Sequence, residues 1–250
     1  FINRGFVTSQ IYTLAIAPAP GGVTLIGGLQ DNGIWGTQSS DDPDNWFSLF
    51  GGDGAFTAVT QNASALYVSS QNGNIWRITP PQSYSAIAPA GAQNYMFIAP
   101  FVLDPNNEQV MYVAESGGVW RNSDLSGIPE TNTRPTATNW TFLSTSAQNG
   151  LSTSTVAAAK TPADRIYFGA TDFQTNTRLI RVDNASGNGA GVIITPPVTS
   201  SNFAPYPSSI AINPNNGDEI IATFSNYNIE SIWYSTNAGA SWTNMGILRA

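Results

Sequence analysis

The chain has 250 residues, of which 41% are hydrophobic and only 10% are charged, and its net charge is −7 at pH 7. Nine basic residues in an acidic chain cannot form the positive surface that displaces counterions from a nucleic acid, so we expect no nucleic-acid partner. The absence of cysteine and histidine excludes disulfides, thiolate metal sites and nucleophilic mechanisms that need a histidine base.

No apolar run approaches the roughly 20 residues of a membrane-spanning helix, so we expect no membrane span. The low charge and the abundance of Asn, Ser, Thr and Gly are typical of extracellular proteins of bacteria or archaea. We therefore expect an extracellular or cell-surface location.

Short β-branched and aromatic runs, separated by clusters of Gly, Asn, Pro and Ser, extend along the whole chain. They fall into groups of four runs, although the fourth run of the second group is unclear. The third run of each group carries an aromatic or apolar marker, and the recurrence of the tryptophan markers predicts core positions for them. In chain order, the groups occupy 11–50, 54–96, 97–147, 148–198 and 205–247, with markers at Trp35, Trp76, Trp120, Ile180 and Trp233.

A four-stranded unit that repeats about every 40–50 residues is the pattern of a propeller blade. We therefore predict an all-β fold, a β-propeller with about five four-stranded antiparallel blades in one domain. Residues 1–6 align with 242–247, and both look like the outer strand of a blade, so 1–10 would end a preceding blade. The simplest interpretation is a part of a larger propeller within a longer parent chain; a closed five-blade ring is the alternative.

One turn resembles a known motif. In "YSTNAGASW", Ser235, Gly239 and Trp242 occupy the positions of an Asp-box, and Asn237 replaces its aspartate. The sequence thereby resembles the sialidase-like, Asp-box (BNR repeat) β-propellers, a family that includes sortilin-type receptor domains and xyloglucanase-like glycosidases. The resemblance implies a structural role for these four residues: the polar side chain holds the turn, and the tryptophan packs between sheets.

Two loops are candidates for a ligand site. Because blade strands run alternately up and down, the connections from strand 2 to strand 3 share one face with the connections between blades. This topology puts Asp31 and Asn32, in an expected two-residue hairpin turn, on the same face as Asp53. The two carboxylates could bind calcium, or act as the acid and base of a glycosidase. Gly27 and Gly28, just before the turn, are expected to allow close packing.

The same face is also expected to carry exposed aromatic residues. Phe203 and Tyr206 lie in a Pro-rich connection, and Tyr227 lies in the next strand 2 to strand 3 turn. Such rings could stack on sugars.

Two function classes follow. The first is a non-catalytic surface or secreted propeller that binds a protein or carbohydrate, or acts as a spacer, with no cofactor apart from the calcium hypothesis. The alternative is a polysaccharide hydrolase that uses paired carboxylates, which the absence of histidine does not exclude.

Overall fold

The computed structural model describes residues 9–19, 22–38, 42, 44–80, 83–144, 148–200 and 202–246. The predicted strand at 1–6 therefore lies outside the described residues. Within them, the prediction of an all-β fold is confirmed, because they form five four-stranded antiparallel sheets, each ordered as in the sequence. We call these sheets blades 1 to 5.

The chain divides into two compact units, which are described separately. The first unit contains the residues up to Ala88 together with Pro129–Pro135. Its two blades are formed by β1 (Ile11–Ala19), β2 (Gly22–Leu29), β3 (Gly33–Thr37) and β4 (Phe47–Phe50), then β5 (Gly54–Val59), β6 (Leu66–Ser70), β7 (Asn74–Thr79) and β8 (Ser83–Ala86).

The second unit contains Pro89–Ile128 and the residues from Thr136 onward. Blade 3 consists of β9 (Phe101–Asp104), β10 (Asn107–Glu115), β11 (Gly118–Asn122) and β12 (Trp140–Phe142). Blade 4 consists of β13 (Ser152–Ala158), β14 (Ile166–Thr171), β15 (Thr177–Val182) and β16 (Gly191–Ile193). Blade 5 consists of β17 (Pro207–Asn213), β18 (Asn216–Phe224), β19 (Ile232–Ser235) and β20 (Thr243–Asn244).

Blade 4 shows why the strands are continuous apolar runs rather than alternating ones. Tyr167 and Phe168 are neighbours on β14 and point to opposite faces of the sheet, yet both are fully buried. Phe168 packs in a cluster with Tyr112 of blade 3, and Tyr167 packs in a cluster with Ala222 of blade 5. A sheet covered on both faces needs apolar side chains at successive positions.

In the first unit, the apolar contact lies between blades 1 and 2. Ile26 and Ile34 of blade 1 form a buried cluster with Leu66, Val68 and Ile78 of blade 2. The other face of blade 1 carries Trp35, which is 36% exposed.

The marker positions therefore divide. Trp233 is buried, as predicted for a core position, and Trp76 and Trp120 are half-buried, whereas the prediction was wrong for Trp35. The non-aromatic marker Ile180 is buried as well. The repeat specifies which face of a blade the marker lies on. It does not specify whether anything covers that face, and the described residues of the first unit leave Trp35 36% exposed.

The hairpin between β2 and β3 also differs from its expected form. Three residues, 30–32, connect the strands, so the predicted two-residue turn is wrong. The positive φ angles fall on Asp31 (58°) and Gly33 (71°) rather than on Asn32. Aspartate tolerates this left-handed conformation better than most residues with a side chain.

None of the described residues forms a helix long and apolar enough to cross a bilayer.

Candidate functional site

Asp31 and Asp53 meet, as the strand topology predicts. The backbone N–H of Asp31 donates to Oδ1 of Asp53 at 2.9 Å. The backbone N–H of Asp53 donates in turn to Oε1 of Gln71 at 3.0 Å, which continues the network to the corresponding turn of blade 2. Asp31 is exposed and Asp53 is half-buried. The carboxylate of Asp53 therefore links the hairpin of blade 1 to the connection between the two blades.

Asn32 completes this hairpin through local contacts. Its Nδ2 donates to the carbonyl of Gln30 at 3.0 Å, and its own carbonyl accepts from Nε1 of Trp35 at 2.7 Å. The side-chain amide and the backbone carbonyl of Asn32 are thus both used to hold the turn.

Close backbone packing confirms the role expected for Gly28. A Cβ atom on Gly28 would lie 2.0 Å from the carbonyl oxygen of Ala55, and one on Gly54 would lie 1.9 Å from that of Gly33. Around Gly27 the space is filled by the side chain of Leu14, at 2.8 Å from the position of a Cβ. Gly28 and Gly54 thus allow the hairpin of blade 1 and the connection to blade 2 to pack backbone against backbone.

A second cluster of loops lies in the other unit, at blades 4 and 5. We call Phe173, Phe203, Tyr206 and Tyr227 the aromatic platform. The rings of Phe173 and Tyr206 stack with centroids 5.9 Å apart and planes inclined by 24°. Tyr227 is 96% exposed, and Phe203 and Phe173 are also exposed. The platform therefore displays apolar ring surface to solvent.

Phe173 has an unusual backbone conformation. Its φ of 64° lies in the left-handed region, which is rare for a bulky residue and costs free energy unless the surroundings hold it. The surroundings do so through Asp172, whose Oδ1 accepts the backbone N–H groups of Gln174, Thr175 and Asn176 at 2.8–2.9 Å. These bonds, with that from the Asn176 side chain, hold the pKa of Asp172 well below its usual range.

The connection after blade 4 is fastened to the same loop. The backbone N–H of Ala204 donates to the carbonyl of Gln174 at 3.0 Å, and the hydroxyl of Thr177 donates to the carbonyl of Pro205. Asn226 joins the third loop, because its Oδ1 accepts the backbone N–H of Tyr206 and its Nδ2 donates to the carbonyl of Ala204 at 3.1 Å. Three loops that are distant in sequence thus form one surface.

A groove of about 450 Å³ borders the platform. The side chains that line it are uncharged and include hydroxyls and amides that can donate and accept hydrogen bonds. Its lining residues are Gln174, Thr175, Val198, Thr199, Ser200, Asn202, Phe203, Ala204 and Pro205. Its volume lies within the range of small-ligand sites, and its lining is more polar than theirs usually is. Partial burial raises the pKa of the Tyr206 phenol above its ordinary value.

The turn that resembles an Asp-box is a hydrogen-bonded brace. Oδ1 of Asn237 accepts the backbone N–H of Ser241 at 2.9 Å, and the hydroxyl of Ser235 accepts that of Gly239 at the same distance. Nε1 of Trp242 donates to the carbonyl of Ile194 at 2.6 Å, so the indole ties blade 5 to the residue that directly follows the outer strand β16 of blade 4.

The described side chains do not form a cluster of metal ligands. Within the described ranges, no group of three or more His, Cys, Asp or Glu residues could hold a metal ion. A calcium ion takes six to eight oxygen ligands, so at Asp31 and Asp53 most would have to be carbonyls and water. Calcium binding there stays a prediction.

Of the three rings predicted to be exposed, Phe203 and Tyr227 are exposed and Tyr206 is half-buried, whereas Phe173 and Asp172 were not predicted as site residues. A signal was present, since "TDFQTN" contains Asp followed by polar residues, the pattern of a side-chain-capped turn. That pattern predicts the turn but not the ring stacking.

Comparisons with known proteins relate the chain to propellers by structure alone. No family model matches the sequence, and no curated protein matches it. A GH74 enzyme from Niastella koreensis superposes with a TM-score of 0.63 at 17% identity, over 93% of this chain and 38% of that one. The Cps50 (Swd1) β-propeller domain from Myceliophteria thermophila superposes with a TM-score of 0.57 at 12% identity, over 91% of this chain and 67% of that one.

A third similar structure is the extracellular domain of a proposed one-component system from B. thetaiotaomicron. Its TM-score is 0.58 at 15% identity, over 94% of this chain and 27% of that one. The chain therefore spans well under half the length of two of these structures. At such identities the similarity defines the fold only. Together with the five four-stranded sheets, it shows that the chain is a β-propeller protein.

Proposed function

We propose that the chain is a non-catalytic, extracellular carbohydrate-binding module, and that a neutral glycan binds at the aromatic platform. The observation that carries the proposal is the Phe173–Tyr206 stack, in which Phe173 has a strained backbone and an exposed ring that lies against the half-buried Tyr206. Strain of this kind concentrates at functional sites.

The chemistry of the surface supports a sugar over a protein ligand. Aromatic faces pack against the apolar faces of sugar rings, while the hydroxyls and amides of the groove can bind sugar hydroxyls. None of the described residues that line the groove carries a charge, so none of them would neutralise an acidic sugar. The extracellular location is supported by the composition and by the extracellular domain among the similar structures.

The experiment is a glycan array followed by calorimetric titration of the best neutral ligand. Tyr227→Ala and Phe203→Ala should each weaken binding about tenfold, as expected for an aromatic contact at the centre of a site. Tyr84→Ala, which removes an exposed ring from the first unit, is the matched control and should leave the affinity unchanged. Array binding that survives both platform variants would reject the site. Chromatography should recover the ligand uncleaved.

Polysaccharide hydrolysis at Asp31 and Asp53 is the second candidate. It is favoured by the hydrogen bond that brings the backbone of Asp31 to the carboxylate of Asp53, and it requires the two carboxyl groups to lie about 5–10 Å apart, as in glycosidases. GH74 enzymes among the similar structures are consistent with it. Its prediction is the release of reducing ends by the wild-type chain and loss of that release in Asp31→Asn. A polysaccharide panel without any turnover would reject it.

A further inference from the structure

Blades 4 and 5 show how one blade covers the next. Tyr167 and Leu179, on the back face of blade 4, form one cluster with Ile210, Ala222 and Trp233, on the front face of blade 5. Here "back" denotes the face toward the following blade and "front" the face toward the preceding one. None of the five side chains is more than 8% exposed. The contact is an apolar, front-to-back one.

Polar groups clamp the rim of the same contact. Arg165 of blade 4 forms a salt bridge with Asp218 of blade 5, and Nη1 of Arg181 donates to the carbonyl of Ala238 at 2.8 Å. In both of these contacts blade 4 supplies the donor and blade 5 the acceptor, which is Asp218 of β18 in one and Ala238 of the turn after β19 in the other.

The back face of blade 5 repeats the apolar positions of blade 4. Strand pairing aligns Ile221 with Tyr167 and Ile232 with Leu179. Yet both isoleucines are 40% exposed, whereas Tyr167 is 0% and Leu179 is 1% exposed. Blade 5 therefore carries a blade-covering surface that nothing in the described part of its unit covers.

The front face of blade 1 is the opposite half of such a contact. The cross-strand row Leu14, Gly27 and Trp35 corresponds to the row that blade 5 buries against blade 4. In blade 1, Leu14 is 55% exposed. Gly27 lacks a side chain, and the row borders a hollow of about 530 Å³ in which the exposed lining is mainly apolar.

We propose that a second copy of this chain docks here, with the back face of its blade 5 on the front face of blade 1. One chain carries both halves of the interface, and its own blades 4 and 5 show the packing that joins them. Ile221 and Ile232 are the aliphatic side chains that fill the hollow between Leu14 and Trp35. Because the two surfaces differ, the association is head-to-tail and leaves one surface of each kind free.

Charge modulates this association. Glu219 takes the position in blade 5 that Arg165 takes in blade 4, and the turn after β3 of blade 1 contains the exposed Asp42 and Asp44. The rim therefore carries like charges instead of a clamp. Salt screens such repulsion, so the association becomes tighter as ionic strength rises.

The test is sedimentation velocity of the 250-residue chain over a hundredfold concentration range. The wild type should form dimers and longer assemblies, and Leu14→Asp and Ile221→Asp should each weaken association tenfold or more. An equimolar mixture of the two variants should form a one-to-one heterodimer and nothing larger, because each variant keeps one intact surface. Ile193→Asp, at an exposed site on the outer strand β16, is the matched control and should associate like the wild type.

Circular dichroism verifies that each variant folds, and Ile16→Asp, at a more exposed position on the same face, replaces Leu14→Asp if that variant does not. A wild-type chain that stays monomeric at every concentration would overturn the proposal and leave these faces to further blades of a longer chain. Association that persists in either single variant, or a mixture without heterodimer, would overturn it as well.

Discussion

Oδ1 of Asp53 accepts the backbone N–H of Asp31 at 2.9 Å, across 22 positions of sequence. The bond holds the hairpin of blade 1 against the connection to blade 2. The bond gives Asp53 a structural role in the first unit.

Replacing Asp53 tests this role. We expect Asp53→Ala to lower the free energy of unfolding by about 1 kcal/mol, because the N–H of Asp31 loses its partner. Asp53→Asn retains an oxygen acceptor and should cost less. Urea denaturation followed by tryptophan fluorescence measures both. Asp31→Asn keeps its backbone N–H and is the control, so a loss as large as that of Asp53→Ala would contradict the assignment.

Glycine positions near this bond should differ sharply in tolerance. Gly28→Ala places a methyl group 2.0 Å from the carbonyl oxygen of Ala55, so we expect destabilisation of about 3 kcal/mol or failure to fold. Gly51→Ala places a methyl group where no atom lies within 4 Å, and it should be tolerated. Thermal unfolding compares the two. Equal stability of the two variants would contradict this prediction, because it would show that the backbone around Gly28 can move to accommodate a methyl group.

Glycan binding at the platform should resist acid down to low pH. The pKa of Asp172 is depressed in the folded loop. The stability that its ionised carboxylate gives to the loop is therefore complete above the unfolded pKa of about 3.9, and it is lost progressively as the pH falls from there through the lower folded value. Titrations from pH 7 to pH 3 should show constant affinity and then a decline below about pH 4. A decline in affinity between pH 5 and 7 would show that a titratable group other than Asp172 determines the pH dependence of binding.

Asn237 tests the resemblance to an Asp-box. Asn237→Asp keeps the oxygen that accepts the N–H of Ser241, so the turn should remain intact. Asn237→Ala removes it, and we expect a loss of about 1 kcal/mol, similar to that of a lost turn or cap hydrogen bond. Chemical denaturation gives both values. If Asn237→Asp destabilised the protein as much as Asn237→Ala, the hydrogen bond from Nδ2 of Asn237 to the Ser241 hydroxyl would contribute more than the bond that Oδ1 accepts.

The calcium hypothesis has its own measurement. If the ion binds at Asp31 and Asp53, millimolar CaCl2 should raise the Tm of the wild type, and chelation should reverse the rise. Asp31→Asn should abolish the response. An unchanged Tm in the wild type would end the hypothesis.

Several features could be predicted from the sequence because they repeat. Four-strand periodicity gave the blades, and up-and-down topology put Asp31 beside Asp53. Trp35 was misassigned because periodicity identifies a face but not its cover. The pairing of Arg165 with Asp183 and Asp218 also has no signature in the sequence, since it joins side chains up to 53 positions apart. Phe173 was missed because the left-handed conformation of a phenylalanine runs against its own preference.

The conformation of Phe173 has a kinetic consequence. The ring is already displayed by bonds to Asp172 and Thr171, so an arriving ligand meets a surface that needs no rearrangement. Encounter would then be limited by diffusion and orientation rather than by loop opening, and the rates at which different glycans associate should be similar. Discrimination among them would appear in how long each one stays.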